Sequence, residues 1–305
     1  MSNGFVVIDK PPGITSHDVV SRVRRTLGIK KVGHTGTLDP FATGVLPIAV
    51  NDGTKAIPFL DEGSKTYEAL LLLGVTTDTL DMTGTVLSES DSSNVTTEQF
   101  ASSLSHFTGA ITQIPPMYSA IKQNGQPLYK LARQGVEVER KARDIEIYSL
   151  ELISFNLPLV AIRVVCSRGT YVRTLADDIG QRLGCGAALQ ELRRTASGPF
   201  RIEDAVTLDE LEAAAGEGRV NGLCLSPMAA LSHLPEIPLT IAGLDGLRFG
   251  KSPSWDCTFL DAPLVCTKET AVRLTADGAL VAIALLVPGC HCDTDAVIKL
   301  KRVLL

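Results

Sequence analysis

Residues 33–47 read Gly-His-Thr-Gly-Thr-Leu-Asp-Pro-Phe-Ala-Thr-Gly-Val-Leu-Pro. The stretch holds one carboxylate, Asp39, in a segment rich in glycine and proline. Pro40 biases the residue before it away from helical backbone angles, while Gly36 and Gly44 permit angles and close approaches that other residues forbid. The pattern predicts a constrained loop that presents one acid to a substrate. An isolated Asp-Pro pair is also typical of a plain turn, so the loop alone leaves both interpretations open.

Further motifs flank this loop on both sides. They are Ile8–Ser16 (IDKPPGITS), Lys65–Tyr67 (KTY), Leu73–Thr79 (LGVTTDT), Gln113–Lys122 (QIPPMYSAIK), Ser167–Leu175 (SRGTYVRTL) and Leu192–Thr195 (LRRT). Together with the Asp39 loop, these blocks resemble the bacterial tRNA pseudouridine synthases of the TruB type, which act on uridine 55 of tRNA. The resemblance covers nearly the whole catalytic portion of the chain, and so many blocks in the same order are hard to obtain by chance.

The resemblance implies a set of active-site residues. Asp39 matches the essential catalytic aspartate, and Arg173 matches the cation that orients it. Tyr67 matches the tyrosine that stacks on the target uracil and is connected with proton transfer at C5. Tyr171 is placed at the base pocket, and His34 matches the histidine that takes the place of the extruded base. Without the motifs, the arginine would be typical of a helix surface, the tyrosines of a core and the histidine of a turn.

Other residues receive supporting roles from the same comparison. Lys55, Arg193 and Arg194 are candidate phosphate contacts, although each fits a plain surface charge equally well. Lys10, between Asp9 and Pro11, is expected to buttress the active site, and Thr37 to have a structural role near it. Many relatives carry a Gly-x-Ala-Thr-Lys run where this chain reads Asn-Asp-Gly-Thr-Lys at 51–55, so we expect a different local turn there.

The implied reaction breaks the bond between ribose C1′ and uracil N1, rotates the base and joins C1′ to C5. Atoms and electrons are conserved, so we expect neither a cofactor nor a metal, and the sequence carries no Walker, dinucleotide-binding or zinc motif. Cys290-His291-Cys292 lacks the second ligand pair that a zinc site needs. One ionised carboxylate can either attack C1′ or remove the 2′ proton, and the sequence does not separate these routes.

Composition places the chain among ordinary globular proteins. It has 305 residues, of which 45% are hydrophobic and 21% charged, which is enough for one large and one small domain. Met1 to Lys10 lacks a signal-peptide pattern, and the longest apolar run, 279–288, is about half a membrane span. Seven scattered cysteines, an odd number, suit a reducing compartment. We expect a cytoplasmic, unanchored protein.

The net charge of −5 and the pI near 5.6 argue, taken alone, against a nucleic-acid-binding protein. The distribution of charge weakens that objection. Acids concentrate after Glu203, whereas basic residues cluster at 22–31 and at 122–143. Because phosphate contacts are local, a basic face on an acidic protein can bind RNA. The resemblance implies tRNA, through its T stem-loop, as the partner.

The fold class implied is α+β, a pseudouridine synthase fold with a mixed, largely antiparallel central sheet flanked by helices. Residues 1–234 would form the catalytic domain, with a thumb insertion at about 113–143 that closes over the RNA. Residues 235–305 would form a small PUA-like RNA-binding β domain. This domain is divergent, and residues 255–292 match the family weakly.

Local patterns predict several elements. Apolar spacing indicates helices at 16–27 and 171–183, and strands are expected at 4–8, 67–73, 145–155 and 159–166. Capping boxes at Thr96/Gln99 and Thr207/Glu210 predict two further helix starts.

Parts of the sequence also fit three other functions. A guide-RNA-dependent archaeal or eukaryotic relative is disfavoured by the complete thumb segment. A non-catalytic RNA-binding or tRNA-folding protein is disfavoured by the presence of Asp39, Tyr67 and Arg173 together. A nucleoside hydrolase would need a metal-binding aspartate cluster, which the sequence lacks. We expect a monomer that requires no protein partner.

Overall fold

The structure is a computed structural model, and it describes residues 3–61, 63–123, 125–289 and 296–305. The Cys290–Cys292 cluster lies outside the described residues. The strands before residue 230 are β1 Gly4–Lys10, β2 Val32–His34, β3 Thr43–Val50, β4 Ser64–Leu73, β5 Val75–Thr77, β6 Val86–Glu89, β7 Gly109–Gln113, β8 Lys122–Gln123, β9 Gln126–Pro127, β10 Arg143–Asn156, β11 Leu159–Ser167, β12 Ala187–Ser197, β13 Phe200–Arg201 and β14 Cys224–Leu225. Those after it are β15 Glu236–Pro238, β16 Thr270–Ala276, β17 Ala279–Val287 and β18 Val297–Val303.

The helices vary from four to twelve residues in length. They are α1 Ser16–Leu27, α2 Gly53–Ala56, α3 Thr97–Leu104, α4 Leu128–Ala132, α5 Val172–Leu183, α6 Leu208–Gly216, α7 Pro227–Ala230 and α8 Ile241–Arg248. Over the described ranges, no helix has the length and apolar character needed to cross a membrane.

A ten-stranded sheet forms the centre of the fold. Its main path runs β14-β1-β3-β12-β4-β11-β10-β7, with β2 beside β3 and β13 beside β12. The β3–β12 pair is parallel and the others are antiparallel. This arrangement confirms the predicted mixed, largely antiparallel sheet with flanking helices. The parallel pair matters for the site, because it places Arg194 of β12 beside Gly44 at the end of the Asp39 loop.

Local sequence signals account for the helix starts. Thr15 caps α1 and forms a capping box with Asp18, and Gly28 ends the helix in the left-handed conformation. The predicted boxes at Thr96 and Thr207 are both formed. The helices expected at 16–27 and 171–183 and the four expected strands are confirmed, with shifts of a few residues at their ends. The apolar faces of α1, α3, α5 and α6 share one core with the sheet.

The predicted thumb begins where β7 ends, at Gln113, and finishes where β10 starts, at Arg143. It contains the β8–β9 pair and the helix α4. Within the thumb, Arg140 donates a hydrogen bond to the Pro115 carbonyl at 3.2 Å, which ties its two ends together. The thumb therefore starts on an edge strand of the central sheet and returns to the same edge.

A second sheet, with the order β15-β16-β17-β18, lies in the last quarter of the chain and has its own apolar core. The indole of Trp255 donates to the Ala296 carbonyl at 2.6 Å and ties the segment before β16 to β18. Ile283 of β17 also packs in a cluster with Phe5 and Phe200 of the central sheet. This small β unit thus covers the face of the central sheet opposite the helices. Its PUA-like character and the boundary at 234/235 stay predictions.

Candidate active site

The Asp39 loop joins β2 to β3 and is fixed from two sides. Ser16, at the start of α1, donates its hydroxyl to the Leu38 carbonyl and accepts from the Leu38 amide at 2.9 Å. Lys10, at the end of β1, is fully buried, and its ammonium donates to the carbonyls of Pro11, Pro40 and Ala42 at 2.8, 3.0 and 2.7 Å. These three hydrogen bonds are consistent with the predicted role of Lys10 as a buttress of the site.

Arg173 is the ion-pair partner of Asp39. Its Nε lies 2.9 Å from a carboxylate oxygen of Asp39, and its side chain is only 4% exposed, against 35% for Asp39. The guanidinium also donates to the carbonyls of Thr79 and Tyr118 at 3.0 and 2.8 Å. Since the Tyr118 carbonyl belongs to the base of the thumb, one arginine joins the Asp39 loop, the turn after β5 and the thumb.

Asp81 is a second carboxylate of this cluster, and the sequence motifs did not single it out. It is buried, and its Oδ2 lies 3.5 Å from Arg173. Its Oδ1 accepts hydrogen bonds from the hydroxyl of Thr79 and from the amide and hydroxyl of Thr83. The available signal was an acid flanked by threonines that can bond to it, but that pattern is common in exposed turns.

Opposing influences act on the acidity of Asp39. Burial raises the pKa of its carboxyl above the usual value, and the charge of Asp81 acts in the same direction. The adjacent Arg173 guanidinium lowers it again, and Lys10 adds a smaller lowering. Without these cations, the partly desolvated loop would favour a neutral acid.

Tyr67 and Arg194 face each other on β4 and β12. The Tyr67 side chain is buried, and burial raises its phenol pKa while the guanidinium of Arg194, within hydrogen-bonding reach, opposes the rise. Arg194 is fully buried and donates to the carbonyls of Val45, Gly36 and Thr37 at 2.7, 3.3 and 3.5 Å. From this position it does not reach a phosphate on the surface, in contrast to its predicted role. The exposed Thr37 contributes its backbone carbonyl to this arrangement.

Tyr171 stands at the N-cap of α5 and is held by Gln113, the last residue of β7. The Tyr171 amide donates to the Gln113 side-chain oxygen at 2.8 Å, and the Gln113 amide group donates back to the Tyr171 carbonyl at 3.1 Å. Burial raises the pKa of the Tyr171 phenol, and the nearby Ser119 hydroxyl opposes the rise. The thumb base therefore also orients Tyr171.

His34 ends β2 and lies half-buried at the start of the Asp39 loop. Burial lowers its imidazole pKa, and the charges of Arg194 and His17 lower it further. The ring is therefore neutral near pH 7, as suits a side chain predicted to stack among RNA bases. No hydrogen-bond partner for its buried Nδ1 occurs among the residues described.

Two predicted phosphate contacts, Lys55 and Arg193, already have partners within the protein. The Lys55 ammonium donates to the Val303 carbonyl and pairs with Asp52, both at 2.8 Å. Arg193 binds Asp9 through two hydrogen bonds of 3.1 and 2.7 Å. Its side chain is 40% exposed, so it remains at the surface, whereas its neighbour Arg194 points inward.

The described part of the chain contains no group of three or more His, Cys, Asp or Glu side chains that could hold a metal ion. Cys166 is fully buried in the core, and burial raises its thiol pKa to about 11. The polar groups gathered around Arg173 are thus two carboxylates, Asp39 and Asp81, and the carbonyls of Thr79 and Tyr118.

Deprotonation of Lys10 should weaken the site at alkaline pH. Burial lowers the Lys10 pKa from 10.5 to about 8, and a neutral amine has only two N–H groups for its three carbonyl partners. We expect the single-turnover rate of the implied uridine isomerisation to fall as pH rises through about 8. Global unfolding would not explain that fall, because a lysine with a lowered pKa in the folded state makes stability rise with pH between 8 and 10.5.

The measurement is the rate at pH values on both sides of 8, beside thermal unfolding at the same pH values. Lys10→Arg keeps its charge over this range, so the alkaline fall should disappear in that variant. A wild-type rate that stays constant through this region would contradict the assigned role of the Lys10 ammonium.

Solved structures share this fold. A chain of a Cbf5–Nop10–Gar1 complex aligns with a TM-score of 0.75 and 27% identity, covering 99% of this chain and 84% of its own. A chain of the archaeal box H/ACA sRNP Nop10–Cbf5 complex aligns with a TM-score of 0.73 and 26% identity, covering 99% and 86%. The central sheet and the small β unit are thus both included in the likeness.

Comparison with known sequences identifies the protein family. Residues 24–172 match the model of the TruB family pseudouridylate synthase N-terminal domain, and residues 173–229 match the tRNA pseudouridylate synthase B C-terminal domain. The chain is 51% identical to tRNA pseudouridine synthase B of Geobacter sulfurreducens over 99% of both chains. It is 55% identical to that of Geotalea uraniireducens, over 92% of this chain and 91% of the relative. The chain belongs to the TruB family of pseudouridylate synthases.

Proposed function

We propose that the chain isomerises uridine 55 in the T stem-loop of tRNA to pseudouridine, with Asp39 as the catalytic carboxylate. Membership of the TruB family supports uridine isomerisation in tRNA. The observation that carries the proposed site is the Asp39–Arg173 ion pair, in which the arginine is buried and the carboxylate remains accessible. An ionised acid held in this way is what the chemistry at ribose C1′ requires.

The reaction starts with cleavage of the C1′–N1 bond, whose electron pair stays on the uracil. Asp39 either attacks C1′ or removes the 2′ proton, and both routes need the carboxylate ionised. Arg173 supplies that condition by opposing the effect of burial on the Asp39 pKa. After rotation, C1′ joins C5, the hydrogen at C5 leaves as a proton, and N1 gains one. No electrons enter or leave.

The other residues would hold the RNA and the free base. A stacked uridine must be extruded before reaction, and we assign to His34 the filling of the gap. Tyr67 would stack on the uracil, which suits a base that must stay in place after its bond is cut. Tyr171 lines the same pocket in this proposal. To contact a phosphate of the RNA, Arg193 would have to break its ion pair with Asp9, and Lys55 its ion pair with Asp52.

The proposed enzyme works as a monomer in the cytoplasm and needs no protein partner. All the polar groups assigned to the site come from one chain. Activity of the purified chain at concentrations where sedimentation shows a monomer tests this directly. A requirement for an added protein would contradict it.

The test of the reaction and its position is release of tritium from tRNA labelled at uridine C5. We expect release with wild-type tRNA and none from a tRNA in which cytidine replaces uridine 55. Continued release from the altered tRNA would keep the chemistry and overturn the position. Bound tRNA without any release would favour an RNA-binding protein.

We also propose that the small β unit binds tRNA outside the T stem-loop. Lys299, Lys301 and Arg302 are exposed along β18. We expect a Lys299→Glu/Lys301→Glu variant to bind full-length tRNA about tenfold more weakly, with a salt dependence reduced by about one unit per lost phosphate contact.

Filter binding over a series of salt concentrations measures this effect. An isolated T stem-loop is the matched substrate, because its affinity should not change. Equal weakening for both RNAs would show that the charges act at the catalytic domain, contrary to the proposal.

A further inference from the structure

Arg194 is a fully buried cation without a carboxylate partner. Among the described residues, no Asp or Glu oxygen lies within 4.0 Å of its guanidinium. Its partners are three backbone carbonyls and the Tyr67 phenol. Burying an arginine in this way is costly, because a buried charge is ordinarily paired. Such a charge is therefore an unusual feature of a core and calls for a physical reason.

The contacts of Arg194 connect two parts of the proposed site. Gly36 and Thr37 belong to the Asp39 loop, Val45 lies in β3, which follows the loop, and Tyr67 lies across from Arg194 on β4. The backbone fits closely around this residue, since a Cβ on Gly44 would lie 2.1 Å from the Arg194 carbonyl oxygen. One rigid guanidinium thus holds the catalytic loop and the stacking tyrosine in a fixed relation.

The charged groups near Asp39 are paired unequally. Arg173 lies between two carboxylates, Asp39 and Asp81. The Lys10 ammonium is bonded to three carbonyls and also lowers the pKa of Asp39. Arg194 faces the Tyr67 phenol, and no carboxylate of the described residues pairs with it. Before cleavage the bound base is neutral, and after cleavage it is an anion.

We propose that Arg194 is a positioning residue whose unpaired charge also stabilises the uracil anion formed when the C1′–N1 bond breaks. The inference rests on the proposed function. Arg194 acts through the ring of Tyr67 and the Asp39 loop, without touching the substrate. In this arrangement the charge of Arg194 is fixed in a region of low dielectric before the reaction, so it favours the state in which the base carries negative charge.

The expected result for Arg194→Gln is a fall in the single-turnover rate of about 100-fold, comparable to loss of one preorganised donor at a developing anion. The tRNA affinity should stay close to that of the wild type. Arg194→Lys keeps the charge and should lose less. Arg163→Gln is the matched control, since Arg163 is an exposed arginine on β11 that pairs with Glu68. Its rate should not change.

The decisive comparison varies the leaving group. A 5-fluorouracil anion is more stable than a uracil anion, so tRNA with 5-fluorouridine at position 55 needs less help from Arg194. Formation of the carbon-linked fluorouracil product, read by nuclease digestion and mass spectrometry, measures the cleavage step. We expect the ratio of the wild-type rate to the Arg194→Gln rate to be smaller with 5-fluorouridine than with uridine.

A purely structural role predicts the same ratio for both substrates, and that result would overturn the proposal. If Arg194→Gln does not fold, Arg194→Met, which also removes the charge, carries the same test, and Arg194→Lys should keep the wild-type preference between the two substrates. A changed preference in the lysine variant would likewise contradict the electrostatic role. A wild-type protein that converts neither RNA would overturn the proposed function itself, so the two failures are distinguishable.

Discussion

Asp39→Asn should abolish pseudouridine formation while tRNA still binds. The amide has nearly the shape of the carboxylate, so the loop fixed by Ser16 and Lys10 should keep its conformation. It carries no negative charge and can neither attack C1′ nor remove the 2′ proton. We expect the rate to fall by at least about 10³-fold, since a positioned acid–base group alone contributes about 10² to 10⁴-fold.

The same variant should not be less stable than the wild type. Burial raises the pKa of Asp39, which means that the ionised form is disfavoured in the folded state. Such a group contributes a penalty at pH values above both its folded and unfolded pKa, and the penalty disappears as pH falls through the folded value. Replacing it by a neutral amide removes the penalty at pH 7, so we expect an unchanged or slightly higher Tm.

Three measurements on one preparation of Asp39→Asn test these predictions: tritium release for activity, filter binding for tRNA affinity, and thermal unfolding for stability. Asp39→Glu is a useful companion variant, because it keeps the charge and moves it by one methylene. It should retain some activity, since the carboxylate is present but misplaced. Tritium release by Asp39→Asn at a rate near that of the wild type would remove Asp39 from the mechanism.

The motifs located the central pair of the candidate site. Asp39 and Arg173 are 134 positions apart in the sequence, yet the resemblance placed them together, and their side chains form an ion pair. Local signals were equally effective for α1, α3 and α6, whose capping residues determine where each begins. These features are either local chemistry or carried by a motif, and both are readable before the chain is folded.

The predicted phosphate contacts of Arg193, Arg194 and Lys55 show that a sequence does not reveal which contacts distant strands make. Arg193 and Arg194 are neighbours on a strand, so their side chains must point to opposite faces. Which face is buried depends on the parallel pairing of β12 with β3, a contact across about 150 residues of sequence that no local pattern reveals. Lys55 is likewise engaged by the Val303 carbonyl of β18, a contact that exists only after the small β unit has packed.

Asp81→Asn should reduce the rate of catalysis without weakening tRNA binding. Asp81 approaches a terminal nitrogen of Arg173 while Asp39 approaches its Nε, and three hydrogen bonds from threonines fix the orientation of Asp81. If the amide oxygen keeps the threonine bonds, the amide nitrogen must face the guanidinium, and two donors then oppose each other. Arg173 would shift, and Asp39 with it. A displacement of about 1 Å at a reacting group can cost about 100-fold in rate, and we expect a loss of that order.

Asp78→Asn is the matched control for this prediction. Asp78 lies in the same turn, but it is exposed and accepts from the Thr85 amide without contact to Arg173. Its variant should have the wild-type rate within the error of the assay, while both variants should bind tRNA equally well. Equal losses in the two variants would assign the effect to the turn as a whole.

A double-mutant cycle with Arg173→Lys separates the cluster from its parts. Lysine cannot hold two carboxylates and two carbonyls in the planar geometry that Arg173 uses, so this variant alone should already lose most of the orienting effect. Adding Asp81→Asn should then cost little, so the loss of rate in the double variant should be smaller than the two single losses combined. Additive losses would mean that Asp81 acts on catalysis independently of Arg173. In that case the carbonyls of Thr79 and Tyr118 would suffice to place the arginine, and the thumb base would be its main support.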